Sequence, residues 1–194
     1  MSRVVSDFDN IHNGSVYIYG KGCDIESHER RPFVPIIGVN DVGVVYDCVN
    51  YTIVGSDDNN KDWLGRSRLH YRHPVFSPDR SYHYSECYKY VPCKFVNHCL
   101  EGEKLYIENN LTASSAIGLA KRMGFSSAIM IGFGSEHYAI PWRSDPMYNP
   151  LDYEIDRNPD GRDLDSELNP VSRIEHKNFL INIGEKLDIQ VEVI

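Results

Sequence analysis

A chain of 194 residues, 41% of them hydrophobic, is long enough to bury a substantial core and short enough to form a single domain over 1–194. Its 28 acids outnumber its 20 lysines and arginines, and the formal charge of −8 argues against a nucleic-acid backbone as partner, because that affinity comes from clustered cations neutralising phosphates. No run of about twenty apolar residues occurs, so no transmembrane span is expected.

Five cysteines leave one unpaired if the rest bridge, and MSRVVSDFDN carries no apolar signal run, so a reducing, cytoplasmic setting is expected. Cys87, Cys93 and Cys99 lack the two-residue spacing of a zinc knuckle and read as small buried hydrophobes.

Ser15–Tyr19, SVYIY, is rich in β-branched and aromatic residues and runs into Gly20-Lys21-Gly22, the pattern of a first strand ending in a tight loop. A second strand over Val34–Val39 reaches Asn40-Asp41, where Asp41 can cap a short helix through about Asp47. A third, Tyr51–Val54, ends at Gly55-Ser56-Asp57-Asp58. Residues 59–90 are dense in aromatics, histidines and arginines and read as an irregular lid or insertion. Val91–Val96 and Lys104–Ile107 are expected as strands flanking a turn at Glu101-Gly102-Glu103.

Leu111–Tyr138 spells a complete unit. Thr112 can cap a helix whose Ala116, Ile117, Leu119, Ala120 and Met123 share one face before Gly124 ends it. Ala128–Phe133 follows as a strand apolar on both faces, which belongs inside a covered, mostly parallel sheet. Residues 140–170 hold five of the ten prolines and many acids and read as an acidic loop. Helical character resumes at Val171, with Ile174, Phe179, Leu180 and Ile183 on one side, and Ile189–Ile194 closes as a strand. The expected fold is therefore a doubly wound, Rossmann-like α/β domain, with ligands bound where strand carboxyl ends meet loops.

Gly20-Lys21-Gly22 can cradle a phosphate, since glycines admit close backbone approach and Lys21 adds charge; an ordinary strand-to-loop turn explains it equally. Asp57 and Asp58 can hold Mg²⁺ against nucleotide phosphates, or one of them can cap the next turn. Asp156, Asn158, Asp160, Gly161 and Glu167 carry the spacing of a Ca²⁺ loop, against the alternative of a solvated acidic loop. Trp63, Arg66, Arg68, His70, Tyr71, Arg72 and His73 can close over an anionic nucleotide or form a surface lid.

In order along the chain, Gly-Lys-Gly-Cys-Asp-Ile, Gly38-Val39-Asn40-Asp41, Ser56-Asp57-Asp58, Leu111-Thr112-Ala113-Ser114, Leu119–Phe125 and Ile131-Gly132-Phe133 resemble the bacterial sialyltransferase-like group, which includes hydroxymethylpterin pyrophosphokinase-like proteins. The resemblance covers about two thirds of the chain. It implies a nucleotide or nucleotide-sugar ligand at Gly20, Gly22, Asn40, Thr112 and Ser114, and a glycosyltransferase-like reaction; Lys21, Cys23, Asp41, Ser56, Ala113 and Gly134 adjoin the same loops and are expected at the same site. The chain departs from the group twice. Gly134 stands where an acid is common, leaving Glu136 nearby. No His-Ser pair precedes the last helix, so the base falls to His137 or His176, either of which can instead be a packed histidine. Alternatives are a Mg²⁺-dependent pyrophosphokinase and a non-catalytic nucleotide-binding protein. The oligomeric state stays open, a homo-oligomer included.

Overall fold

The computed structural model describes residues 3–40, 42–55, 72–78, 90–98, 100–109, 111–133 and 173–194. Its frame is a seven-stranded, all-parallel sheet in the order β5-β4-β3-β2-β1-β8-β9. The strands are β1 (Ser15–Tyr19), β2 (Ile36–Val39), β3 (Tyr51–Ile53), β4 (Val75–Ser77), β5 (Tyr90–Pro92), β8 (Ser127–Ile131) and β9 (Gln190–Val193). β6 (Lys94–Val96) and β7 (Lys104–Tyr106) form a separate pair. A short 3₁₀ turn, Val5–Phe8, precedes β1, and the described helices are α1 (Asp24–Ser27), α2 (Val42–Val45), α3 (Thr112–Arg122) and α4 (Arg173–Leu187).

Successive side chains of a strand point to opposite faces, and here both faces are apolar. Val16, Ile18, Ile37, Val39, Ile53, Phe76, Ala128 and Met130 pack with residues of α3 and α4. Tyr17, Tyr19, Ile36, Val75 and Ile131 pack on the other face with Ile25 and Val42. This two-sided burial is why the strands read as continuous hydrophobic runs, and it makes the fold doubly wound. Each fully buried large apolar side chain of these strands contributes about 1.5–3 kcal/mol.

α3 is buried along its whole middle, Ser114 and Ser115 included, although its apolar stripe predicts a helix with one solvated side. The β6–β7 pair provides the extra cover, approaching so closely that a methyl group on Gly118 would stand 3.0 Å from Tyr106 Cβ. Gly124 ends the helix as expected, at φ +95° with its N–H donated to Lys121 O.

Four sequence expectations change. The lid interval 59–90 contains β4, fully buried between β3 and β5; three residues are too few to show a period. Val91–Val96 divides between two sheets, because Cys93 donates its N–H to Ser77 O while Lys94 donates to Glu103 O. β6 and β7 pair in parallel, Lys94 opposite Lys104 and Val96 opposite Tyr106, so the Glu101–Glu103 turn closes no hairpin. The helix expected at about 41–47 is the single turn α2, and Asp41 lies outside the described residues.

Candidate functional site

In a parallel sheet each loop leaving a strand's carboxyl end emerges on the same edge, and the order of strands sets where those loops part. β2 to β5 are laid down to one side of β1, whereas β8 lies on its other side. The loops after β1 and β8 therefore meet at the switch in winding direction. Gly20–Gly22 leaves β1 there, and Gly132 leaves β8.

Backbone holds this junction together. Gly20 N–H donates to Ile131 O at 2.8 Å and Gly22 N–H to Gly132 O at 3.0 Å. A methyl group on Gly20 would stand 2.6 Å from Gly132 O, and one on Gly132, whose φ is +81°, 2.9 Å from Gly22 N. The two amides that the sequence offers as phosphate donors are thus engaged with β8. The glycines are required for contact between two strand ends.

A second convergence lies one strand further along. Asn40, at φ +57°, donates its N–H to Ile53 O at 2.8 Å and accepts from Gly55 N–H through Oδ1 at 3.2 Å. Gly55 in turn faces α3, since a methyl group there would stand 2.6 Å from Thr112 Oγ1. Asn40, Gly55 and Thr112 are therefore neighbours on the carboxyl edge, with the first turn of α3 among them. Helix N-termini carry a partial positive charge and amides without an intrahelical acceptor, which suits an anion.

The remaining predicted residues divide. Thr112 is the first helical residue, and the capping position falls to Leu111, so the expected Thr112 cap is shifted by one. Ala113 is buried, and Ser114 is fully so. The Ser114 hydroxyl accepts from Glu108 N–H at 2.8 Å and donates to Leu111 O at 2.7 Å, bracketing the loop that leads into α3. Lys21 and Cys23 are half-buried beside Gly22. α4 precedes the parallel strand β9 and packs on it, so it runs towards the amino edge and its first residues lie towards the carboxyl edge. His176 sits about 16 Å along the axis from Leu187, at 1.5 Å per residue, and is 7% exposed. Asp41, Ser56, Asp57, Asp58, Gly134, Glu136, His137 and the Asp156, Asn158, Asp160 and Glu167 set lie outside the described residues. So do Trp63, Arg66, Arg68, His70 and Tyr71.

Arg72 and His73 precede β4 and stand at the opposite, amino edge. Arg72 pairs with Asp47 at 3.3 Å, and His73 Nε2 is 2.5 Å from Thr52 Oγ1 under α2. Neither belongs to the carboxyl-edge crevice that the aromatic and basic run suggested.

Sequence reasoning missed the wall beneath the β1 loop. Tyr17 and Tyr19, tilted against each other, each meet the His28 ring edge-on, and burial raises the Tyr19 phenol well above its ordinary range, with Cys48 next in effect. Burial likewise pushes Tyr46 up to about 12, reinforced by Glu26. Both tyrosines remain neutral donors at any physiological pH. Alternation in SVYIY was a usable signal for Tyr17 and Tyr19 on one face; nothing in the sequence linked them to His28.

Among the described residues no group of three or more His, Cys, Asp or Glu is placed to hold a metal ion, and no helix is long and apolar enough to cross a membrane. Comparisons with protein-family models, curated proteins and solved structures return no match to this chain.

Proposed function

We propose that the carboxyl edge of the sheet binds a nucleotide or nucleotide-sugar, and that the protein transfers a group from it in the manner of a sialyltransferase-like glycosyltransferase. One observation carries the reading: Asn40, Gly55 and the first turn of α3 converge beside the winding switch of a parallel sheet. Phosphate would meet the α3 amides at Thr112 and Ala113, with Lys21 adding charge from the β1 loop. Gly20 and Gly22 would shape the pocket floor. Catalysis would rest on positioning and on stabilising the departing phosphate.

A non-catalytic binding protein is the second reading, and it is favoured by the burial of His176, the one proposed base among the described residues. Thermal shift against CMP, CDP, UDP and ATP, with and without Mg²⁺, tests both, since a ligand that binds the folded state stabilises it by linkage. Metal-independent stabilisation by CMP together with turnover of an activated sugar donor supports the transferase. Binding without turnover or donor hydrolysis supports the binding protein. Mg²⁺-dependent stabilisation by ATP that disappears in Asp57→Ala would replace both with the pyrophosphokinase. No shift with any nucleotide would sink the nucleotide site itself.

A further inference from the structure

Two arginines in the turn that leads into β2 differ from their counterparts elsewhere. Arg72 and Arg122 each meet a carboxylate, that of Asp47 and that of Asp9. Arg30 and Arg31 are consecutive and exposed, and among the described residues no carboxylate stands within ion-pair distance of either guanidinium and neither is hydrogen-bonded. Arg31 is held through its backbone instead: its N–H donates to Tyr17 OH at 3.4 Å and its carbonyl accepts from Val34 N–H at 3.4 Å.

Both arginines line an open depression of about 400 Å³, together with Phe33, Pro35, Cys48 and Asn50, and none of its lining residues is acidic. That volume lies in the range of small-ligand pockets. Asn50 Oδ1 already accepts from Ile36 N–H at 2.8 Å, so what Asn50 can offer a ligand is its Nδ2–H pair. Phe33 stands exposed at the rim with φ +67°, a region that bulky side chains rarely adopt and that clusters at functional sites. Burial is the first influence on the Tyr19 phenol and the His28 imidazole, and the Arg30 charge acts on both, which sets its guanidinium close to that aromatic wall. The turn leads into β2 and Asn50 into β3, so the depression lies at the amino edge, opposite the nucleotide site proposed above.

We propose that this depression binds a small organic oxyanion, a phosphate or carboxylate carried on a planar ring, with Arg30 and Arg31 on the oxygens and Phe33 against the ring. Guanidinium forks match the paired oxygens of either group, and aromatic rings attract one another in offset or edge-on contact. Neighbouring like charges repel, and an anion shared between them removes that cost. A chain of charge −8 repels anions at long range, so the attraction is confined to this wall and an anionic membrane is disfavoured.

Amide-resolved NMR of the isotope-labelled protein tests the proposal and locates the ligand. Phenyl phosphate and benzoate, raised to about 20 mM to suit the weak affinity of ligands this small, are expected to shift the amides of Arg30, Arg31, Phe33, Ile36, Cys48 and Asn50. Inorganic phosphate and phenol at the same concentration are expected to shift them far less. A response to one aryl anion alone fits the proposal and names the oxyanion. The double variant Arg30→Gln, Arg31→Gln removes the charges and keeps the backbone bonds of the turn; it is expected to weaken binding about tenfold or more. Phe33→Gly, in which glycine accepts positive φ without strain, is expected to weaken it about three- to tenfold. Circular dichroism verifies that both variants fold. Amides that stay still with both aryl anions overturn the proposal, as does binding undiminished in the double variant. Equal shifts with phenol would leave the charge no part, and equal shifts with inorganic phosphate would leave the ring none; either result overturns it. So do shifts confined to Gly20, Gly22, Asn40 and Gly55, which would assign the aryl anions to the carboxyl edge. Because the two groups of amides are separate, failure at the amino edge leaves the nucleotide reading standing.

Discussion

Replacing Gly20 by alanine adds one methyl group at the point where the ends of β1 and β8 touch. Gly20 does not have a positive φ, so alanine suits its backbone, and the loss of unfolded-state freedom would by itself stabilise the protein by about 0.4–1 kcal/mol. Contact reverses that sign. The new carbon would stand 2.6 Å from Gly132 O and 3.1 Å from Gly132 C, with Phe133 Cε1 at 3.2 Å. The nearest obstacle is backbone, held in place by the Gly22 N–H bond to Gly132 O, and it must retreat by roughly 0.5–0.8 Å to reach ordinary contact. Overpacking of this kind costs about 1–3 kcal/mol, and losing the Gly22–Gly132 hydrogen bond would add about 1 kcal/mol. The net expectation is a destabilisation of about 1–3 kcal/mol. Urea denaturation should show it as a lower midpoint at unchanged slope. Phe133→Leu provides a discriminating second change: because the carbonyl lies closer than the ring, the double variant should recover little. A Gly20→Ala protein as stable as the wild type would refute the backbone-contact reasoning, and full recovery with Phe133→Leu would shift the obstacle to the ring.

Arg122 is 4% exposed in its side chain, paired through Nε with Asp9 Oδ1 at 2.5 Å and donating from Nη1 to Lys104 O at 2.8 Å. Arg122→Ala strands the Lys104 carbonyl and should cost about 2–3 kcal/mol, below the range for fully buried pairs because Asp9 is 38% exposed; an unchanged urea midpoint would contradict this. Burial holds the His12 and His28 imidazoles below their usual value of 6.5, so below that pH the unfolded chain takes up more protons than the folded one. Stability is then full above about pH 6.5 and falls as pH drops through the folded values, and His12→Gln should flatten part of the decline in urea midpoints between about pH 7.5 and 5.5. Equal midpoints at both pH values would dispose of the idea. Burial also pushes the Cys93 thiol up to about 12, so iodoacetamide should spare it in the folded protein near pH 8, where a thiol of ordinary pKa near 8.5 is partly ionised, and label it on unfolding. Labelling of Cys93 at the same rate in both states would show that the site is open.

The parts of this fold visible in the sequence are those in which one residue type has one physical use. SVYIY, IIGV and SAIMI are apolar on alternating and intervening positions alike, a pattern that only two-sided cover explains, and all three lie at the centre of the sheet. Glycines carry no such unique meaning. Gly20-Lys21-Gly22 has the composition of an anion cradle, yet the same lack of side chains permits strand-to-strand contact, and the partner that decides between these uses, Gly132, is more than a hundred residues away in the chain. Ser114 illustrates the same ambiguity. A serine near a helix start can face a ligand or bracket its own loop, and here the loop leading into α3, whose path local periodicity does not show, takes the hydroxyl through Glu108 and Leu111. Asn40 entered through the resemblance alone, as a residue lining a nucleotide; in the structure it holds a positive φ, which asparagine tolerates, and its amide oxygen accepts from Gly55 N–H, two properties that no local pattern displays. Asn40→Ala, which loses both while leaving the strands intact, should weaken a nucleotide at the carboxyl edge more than any change at Ser114 that preserves the loop.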